Sequence, residues 1–356
     1  MKKILIIGSY NKEYPRNKVL INTLKDFFDI EEINNKYEKW TRHVFFLKAV
    51  LKHRKEKDFL LLLHPARKFV FSLFLSKIFF SGKIIVDAFN SVYDSFIYDR
   101  KLASKYSIKA FYYFLSDYLM CRLTDIIFFD TREHKDYFIN KFKIKDFKKK
   151  VVLPVSVDLN LFEDVPDLSD KGIFPKDKFN IFFYGCYIPL QGIEYIVKAA
   201  KILEKEKLMN FVLLGAGQTR KEINALCEKL QSKNITFIDR VPYEDLIKYI
   251  NASDVCLGIF GDTDKAMRVV PNKVLEYGAC KKIVVTGRNK AMERYFEDGR
   301  DLLYCNMADE HDLSKKILRV YHDYDSYIKM GDNIYKKIKQ NFTKESLAEI
   351  INKELT

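Results

Sequence analysis

Short apolar runs recur along the 356-residue chain, and between them apolar positions return every three or four residues. Strand-length runs alternating with helix-length amphipathic stretches are the pattern of βαβ units, and so of parallel sheets covered by helices on both faces. The first half carries such runs at 3–7, 59–63, 83–86, 126–129 and 151–153; the second carries them at 181–184, 211–214, 235–238, 255–260, 283–286 and 302–304. Each half therefore predicts a doubly wound α/β sheet of its own.

Between the halves, residues 155–178 hold Pro166, Gly172 and Pro175 among several Asp and Lys without periodicity, which predicts a linker. The resulting division is a domain over 1–158, a linker over 159–178, a domain over 179–340 and a closing helix over 341–356. That helix is expected from Thr343 as N-cap, Glu345 in the first turn, and Leu347, Ile350, Ile351 and Leu355 on one face. Ligands of doubly wound sheets bind beyond the carboxyl ends of the strands, so two facing sheets are expected to share one cleft.

The most apolar stretch, 59–80, is interrupted by His64, Pro65, Arg67 and Lys68 before any span of membrane-crossing length. Its helical part from residue 67, and the Tyr-, Phe- and Lys-rich stretch 101–122, have the makeup of helices that lie on a bilayer surface; a packed core accounts for the aromatics equally well. Charge sharpens this picture. The formal net charge is +14, and residues 1–155 hold 31 Lys and Arg against 17 Asp and Glu, while residues 156–356 hold 31 against 31. The whole excess lies in the first half, where it would attract the phosphates of an anionic membrane, a lipid diphosphate or a nucleic acid.

The six cysteines are scattered singly without CxxC spacing, which predicts free thiols in a reducing, cytoplasmic setting rather than disulfides or a metal site. In the opening MKKILIIG the apolar run is four residues long and no cleavage site follows, so it reads as a first strand and not as a signal peptide.

Two segments of the second half carry candidate chemistry. In NIFFYGCYIPLQGIEYIVKAA (180–200) a strand ends at Gly185, a loop runs through Gln191, and Gly192 precedes a helix whose first amides suit a diphosphate. In VVPNKVLEYGACKKIVVT (269–286) a helix opens at Pro271, with Asn272 and Lys273 in its first turn and Glu276 one turn later on the same side. A carboxylate there can accept hydrogen bonds from two adjacent ribose hydroxyls while Lys273 faces the phosphates. An ordinary glutamate on an exposed helix is the plain alternative.

Together with LLGAG (213–217), Asp254 in YINASDVCL, VVLPVSVDLNLF (151–162), YPRN (14–17) and DTREHKDYF (130–138), these segments resemble the retaining family 4 glycosyltransferases of GT-B fold. The resemblance implies two Rossmann-like domains facing across a cleft, with the last helix crossing back to the first domain. It implies a UDP- or GDP-sugar donor on the second domain and a glycan or lipid-linked acceptor on the first, in surface polysaccharide or glycoconjugate synthesis. It assigns Glu276 to the ribose, the loop from Gly185 to Gly192 to the phosphates, Arg240 and Val241 to the base, and Gly215 and Gly217 to the shape of the pocket. No cofactor and no metal ion are expected, and no side-chain nucleophile is required.

Three positions depart from the family. Where it often has Arg and Lys pairing with the diphosphate, this chain has Cys186 and Gln191, and where it has a second Glu eight residues before the ribose Glu, this chain has Arg268. Arg268 and Lys273 are therefore expected to clamp the diphosphate instead, each lost charge-assisted bond being worth roughly 1.5–3 kcal/mol. On the acceptor side, Arg16, Asn17, His64, Asp87, Asp94 and Arg100 fall where strand ends should meet the cleft, with capping or salt bridging as the alternative. Competing readings are a nucleotide-sugar epimerase of the same architecture and an inactive relative acting as a basic binding module. Nucleic acid as partner would leave the neutral second half and its Glu276 helix unexplained.

Overall fold

The computed structural model describes residues 1–35, 40–163 and 173–355, so the middle of the predicted linker, 164–172, lies outside the described residues. The chain divides into two compact units, Met1–Ser156 with Lys344–Thr356, and Val157–Thr343.

The first unit contains β1 (Lys3–Gly8), α1 (Pro15–Leu24), β2 (Asp29–Asn34), α2 (Thr41–His53), β3 (Phe59–Leu62), α3 (Val70–Phe79), β4 (Lys83–Asp87), α4 (Ile108–Leu123), β5 (Ile126–Phe129), α5 (Arg132–Phe142) and β6 (Lys149–Val152). Its six strands are all parallel, in the order β2-β1-β3-β4-β5-β6. Residues on alternate sides of the central strands bury against different helices, because a parallel sheet is covered on both faces. Leu5, Ile7, Leu60, Leu62, Ile84 and Val86 pack with α2 to α5, whereas Ile4, Ile6, Leu61 and Ile85 pack with α1. No apolar run announced β2. Its sequence DIEEIN is only half buried because the strand lies at the sheet edge, and its Glu31 and Glu32 pair with Lys57, Lys12 and Lys25.

Both aromatic segments are shorter helices than their composition suggested. The first opens with a 3-10 turn, Ala66–Phe69, before α3 begins. In the second, helix starts only at Ile108, where the Ser107 hydroxyl accepts from the Ala110 amide.

The second unit contains α6 (Asn160–Glu163), β7 (Phe179–Tyr184), α7 (Ile193–Ile202), β8 (Met209–Leu214), α8 (Arg220–Leu230), β9 (Ile235–Ile238), α9 (Tyr243–Asn251), β10 (Val255–Leu257), α10 (Asn272–Ala279), β11 (Ile283–Gly287), α11 (Lys290–Glu293), β12 (Leu303–Cys305), α12 (Glu310–His322) and α13 (Tyr324–Asn341). Its parallel sheet runs β12-β11-β10-β7-β8-β9. The order reverses between β7 and β10, and at such a switch point the loops leaving two neighbouring strands diverge and open a crevice. The run predicted at 255–260 is strand only to Leu257. A final helix, α14 (Lys344–Leu355), lays Leu347, Ile351 and Leu355 against the α1 side of the first unit's sheet. The Thr343 hydroxyl before it turns back to the Lys339 carbonyl of α13 at 3.5 Å.

Candidate functional site

At the switch point of the second unit, β7 ends and the chain turns at Gly185 into a 3-10 turn, Pro189–Gln191, which delivers Gly192 to the start of α7. Gly192 has φ +63°, and a Cβ there would lie 2.4 Å from the Gly261 nitrogen, so no other residue fits. Gly215, after β8, is held by a similar constraint: a Cβ would lie 2.1 Å from the Gly185 oxygen. The two glycine loops are thus stacked directly on each other, and Gly217 continues this contact against the Tyr187 backbone.

Helix α10 brings Lys273 beneath the first loop. Its ammonium nitrogen lies 2.5 Å from Gln191 Oε1 and 3.7 Å from the centroid of the Phe183 ring. A Cβ at Gly185 would sit 2.8 Å from that nitrogen, so the glycine is what admits the amine. Lys273 is buried, and loss of water pushes its pKa well below the ordinary lysine value. Its hydrogen bond goes to a neutral amide oxygen, and no carboxylate pairs with it among the described residues.

One turn later, Glu276 is 4% exposed rather than a surface residue. Its Oε1 accepts from the Tyr243 hydroxyl at 3.0 Å, while Oε2 is buried with no hydrogen-bond partner among the described residues. Burial pushes its pKa up to about 8. The unfolded chain gives up this proton near 4.5, so the contribution of Glu276 to stability is full below that pH and is lost as pH rises through about 8. The loss is at most about 1.4 kcal/mol per pH unit across the window. Glu276→Gln should abolish it, raising the melting temperature above wild type at about pH 8.5 but not at about pH 5. An equal difference at both pH values would rule out a buried, titrating carboxyl.

The remaining predicted donor residues lie on other parts of the second unit. Asn272 opens α10, half-buried. Arg268, also half-buried, ends the 3-10 turn Ala266–Arg268. Arg240 and Val241 follow β9, the first exposed and the second half-buried. Asp254 lies at the opposite end of the sheet, where its carboxylate accepts the Asn180 amide at 2.7 Å and ties β7 to β10. Sequence reasoning missed Tyr243 and Phe183, which hold Glu276 and Lys273. It also missed Glu194, in the first turn of α7, whose pKa burial raises.

In the first unit, Arg16 and Asp87 are both buried and bonded to each other, with Nη2 to Oδ1 at 2.7 Å and Nε to Oδ2 at 2.9 Å. Arg16 Nη1 also donates to the Leu153 carbonyl at 3.0 Å, and its guanidinium covers the Phe89 ring at 4.9 Å. Asn17 bridges the carbonyls of Asn11 and His64 through its amide nitrogen. The His64 ring, half-buried, sits among Tyr14 and Phe89. Asp94, buried, and Arg100, half-buried, mark the two ends of a π-helical turn, Asp94–Asp99. Arg16, Asn17, His64 and Asp87 thus form one connected group, and in it Arg16 and Asp87 make the salt bridge that was the alternative to acceptor contact.

Residues 164–337 match the family model for glycosyl transferases group 1. Two solved structures resemble the chain over its whole length. The Anabaena protein HepE, in complex with UDP and glucose, superposes with TM-score 0.75 at 14% identity over 100% of this chain and 99% of that one. A sucrose-phosphate synthase of Thermosynechococcus elongatus superposes with TM-score 0.79 at 14% identity over 99% and 98%. An uncharacterized glycosyltransferase of Methanocaldococcus jannaschii is 22% identical over 177 residues, 49% of this chain and 44% of the relative, so the chain matches less than half the length of that relative. The fold is GT-B, and the family match falls on the unit that holds Lys273 and Glu276.

Proposed function

We propose that the protein is a retaining, family 4 type enzyme that transfers a sugar from a UDP- or GDP-sugar to a glycan or lipid-linked acceptor. The reading rests chiefly on Lys273, a buried amine that meets no carboxylate among the described residues, placed against a glycine loop at the switch point one turn from a buried carboxyl. Burying an amine is unfavourable unless a negative group completes the site, and a diphosphate does so. Glu276, with one oxygen unpaired among the described residues, is suited to a pair of ribose hydroxyls. As the sugar leaves, the charge developing on the diphosphate is met by Lys273 and by loop amides, so the chemistry needs no protein nucleophile and, in this proposal, no metal ion. The first unit would take the acceptor, in a cytoplasmic enzyme of surface polysaccharide or glycoconjugate synthesis.

Calorimetric titration of UDP, GDP and ADP, each with and without magnesium, tests the donor assignment. One nucleotide should bind in the micromolar range without metal, and Glu276→Ala should weaken it by about tenfold or more through the loss of ribose hydrogen bonds. Failure of all three to bind the folded wild type would overturn the proposal.

A further inference from the structure

On the outer side of the layer formed by α2, α3 and α4, large apolar side chains face solvent. In α3, Phe71, Phe74, Leu75, Ile78 and Phe79 fall on one helical stripe and are 38–65% exposed. The opposite stripe, Val70, Ser72, Leu73 and Ser76, is buried. A surface helix ordinarily turns its small polar residues outward. This one instead buries two serines, whose hydroxyls are bonded to His43 and to the Ser72 carbonyl, and presents three phenylalanines.

The neighbouring helices extend the surface, since α3 packs against both α2 and α4. The His43 ring of α2 lies 6.4 Å from Phe71 and 5.8 Å from Trp40, which is itself 79% exposed. Helix α4 adds Ile108, Phe111 and Tyr112, all exposed. Of the 20 exposed large hydrophobic residues among those described, 14 fall between 40 and 112, so the exposure is concentrated in one part of one unit rather than scattered.

The exposed charge carried by the three helices is of one sign. Exposed Lys48 and Lys52 stand on α2 and exposed Lys109 on α4, while the single carboxylate of the three helices, Asp117, is buried against Ser91. Aromatic rings seek the boundary between lipid headgroups and acyl chains, lysine stems reach from it to phosphates, and the lack of an exposed carboxylate on these three helices limits the repulsion an anionic surface would otherwise exert. No helix among the described residues is long and apolar enough to cross a membrane. We propose that the α2–α3–α4 face of the first unit docks on the surface of an anionic lipid bilayer, with the α3 stripe as its apolar anchor. This contact does not depend on the donor site, and it would hold the unit proposed to take a lipid-linked acceptor at the surface where such an acceptor resides.

Co-sedimentation of the full chain with phosphatidylcholine vesicles, with and without a third of phosphatidylglycerol, tests the proposal in the absence of nucleotide. Wild type should bind the phosphatidylglycerol vesicles, and added salt should weaken that binding. The triple variant Phe71→Ser/Phe74→Ser/Ile78→Ser should partition roughly tenfold or more less well, with an unchanged circular-dichroism melt. Lys48→Glu/Lys52→Glu should reduce only the part that depends on phosphatidylglycerol. Wild type that binds neither vesicle, or a triple variant that binds as wild type does, would overturn the proposal. So would a wild-type dimer, dissolved by the triple variant and indifferent to vesicles in sedimentation velocity, because the face would then join two copies of the chain.

Discussion

Lys273→Met should lower affinity for the nucleoside diphosphate on the order of 100-fold while leaving the protein folded, because a buried amine facing a diphosphate makes charge-assisted bonds that an apolar chain of similar length cannot replace. Among the described residues the amine meets the Gln191 oxygen and the Phe183 and Tyr184 rings, and no carboxylate pairs with it. Removing it from the free protein therefore breaks no ion pair, and the melting temperature should hold or rise. Proton uptake supplies an independent readout. Desolvation depresses the Lys273 pKa in the free protein, and the negative charge of a bound diphosphate raises it again, so binding at alkaline pH should draw a proton onto the amine. Binding enthalpies measured in buffers of different ionisation enthalpy should differ accordingly, and the part of that difference due to Lys273 should vanish in Lys273→Met. A variant that binds nucleotide as tightly as wild type would remove Lys273 from the site.

Arg16→Met should destabilise the first unit by about 3–5 kcal/mol, the cost of leaving a buried carboxylate without its partner. Asp87 is 2% exposed, and Arg16 donates three hydrogen-bond contacts to its carboxylate. Replacing both residues, as Arg16→Met/Asp87→Leu, should recover most of the loss, since two apolar side chains carry no such penalty. Urea unfolding of the two single variants and the double variant measures the coupling directly. A loss below about 1 kcal/mol for Arg16→Met would mean that water reaches the pair, leaving it open to meet an acceptor.

Much of the strand framework was legible because buried parallel strands are apolar runs, and their periodicity survives without knowledge of what covers them. Edge strand β2 escaped because half its surface is wet and its carboxylates pair with lysines, leaving no apolar signal. Gly185, Gly192, Lys273 and Glu276 could be proposed from local spacing, since each lies near a strand-to-helix turn or within one helical turn of another, and Gly215 from the resemblance to the family. Tyr243 and Phe183 could not, because hydrogen bonding and ring contact across 33 and 90 positions of chain leave no mark in local sequence. The motif residue Asp254 shows the converse: its likeness to the family was readable, yet its place at the amino ends of β7 and β10 makes it a fastening of the sheet.

Residue order by itself determined two α/β sheets, the basic character of the first half and the glycine loop with its Lys–Glu helix, because these follow from short-range periodicity and composition. Only the tertiary structure decided that Glu276 is buried and that Lys273 meets no carboxylate among the described residues, that Arg16 and Asp87 neutralise each other, and that α3 turns its phenylalanines outward. Burial and pairing are set by which distant segments pack together, and a side chain's pKa, partner and exposure exist only once that packing has formed.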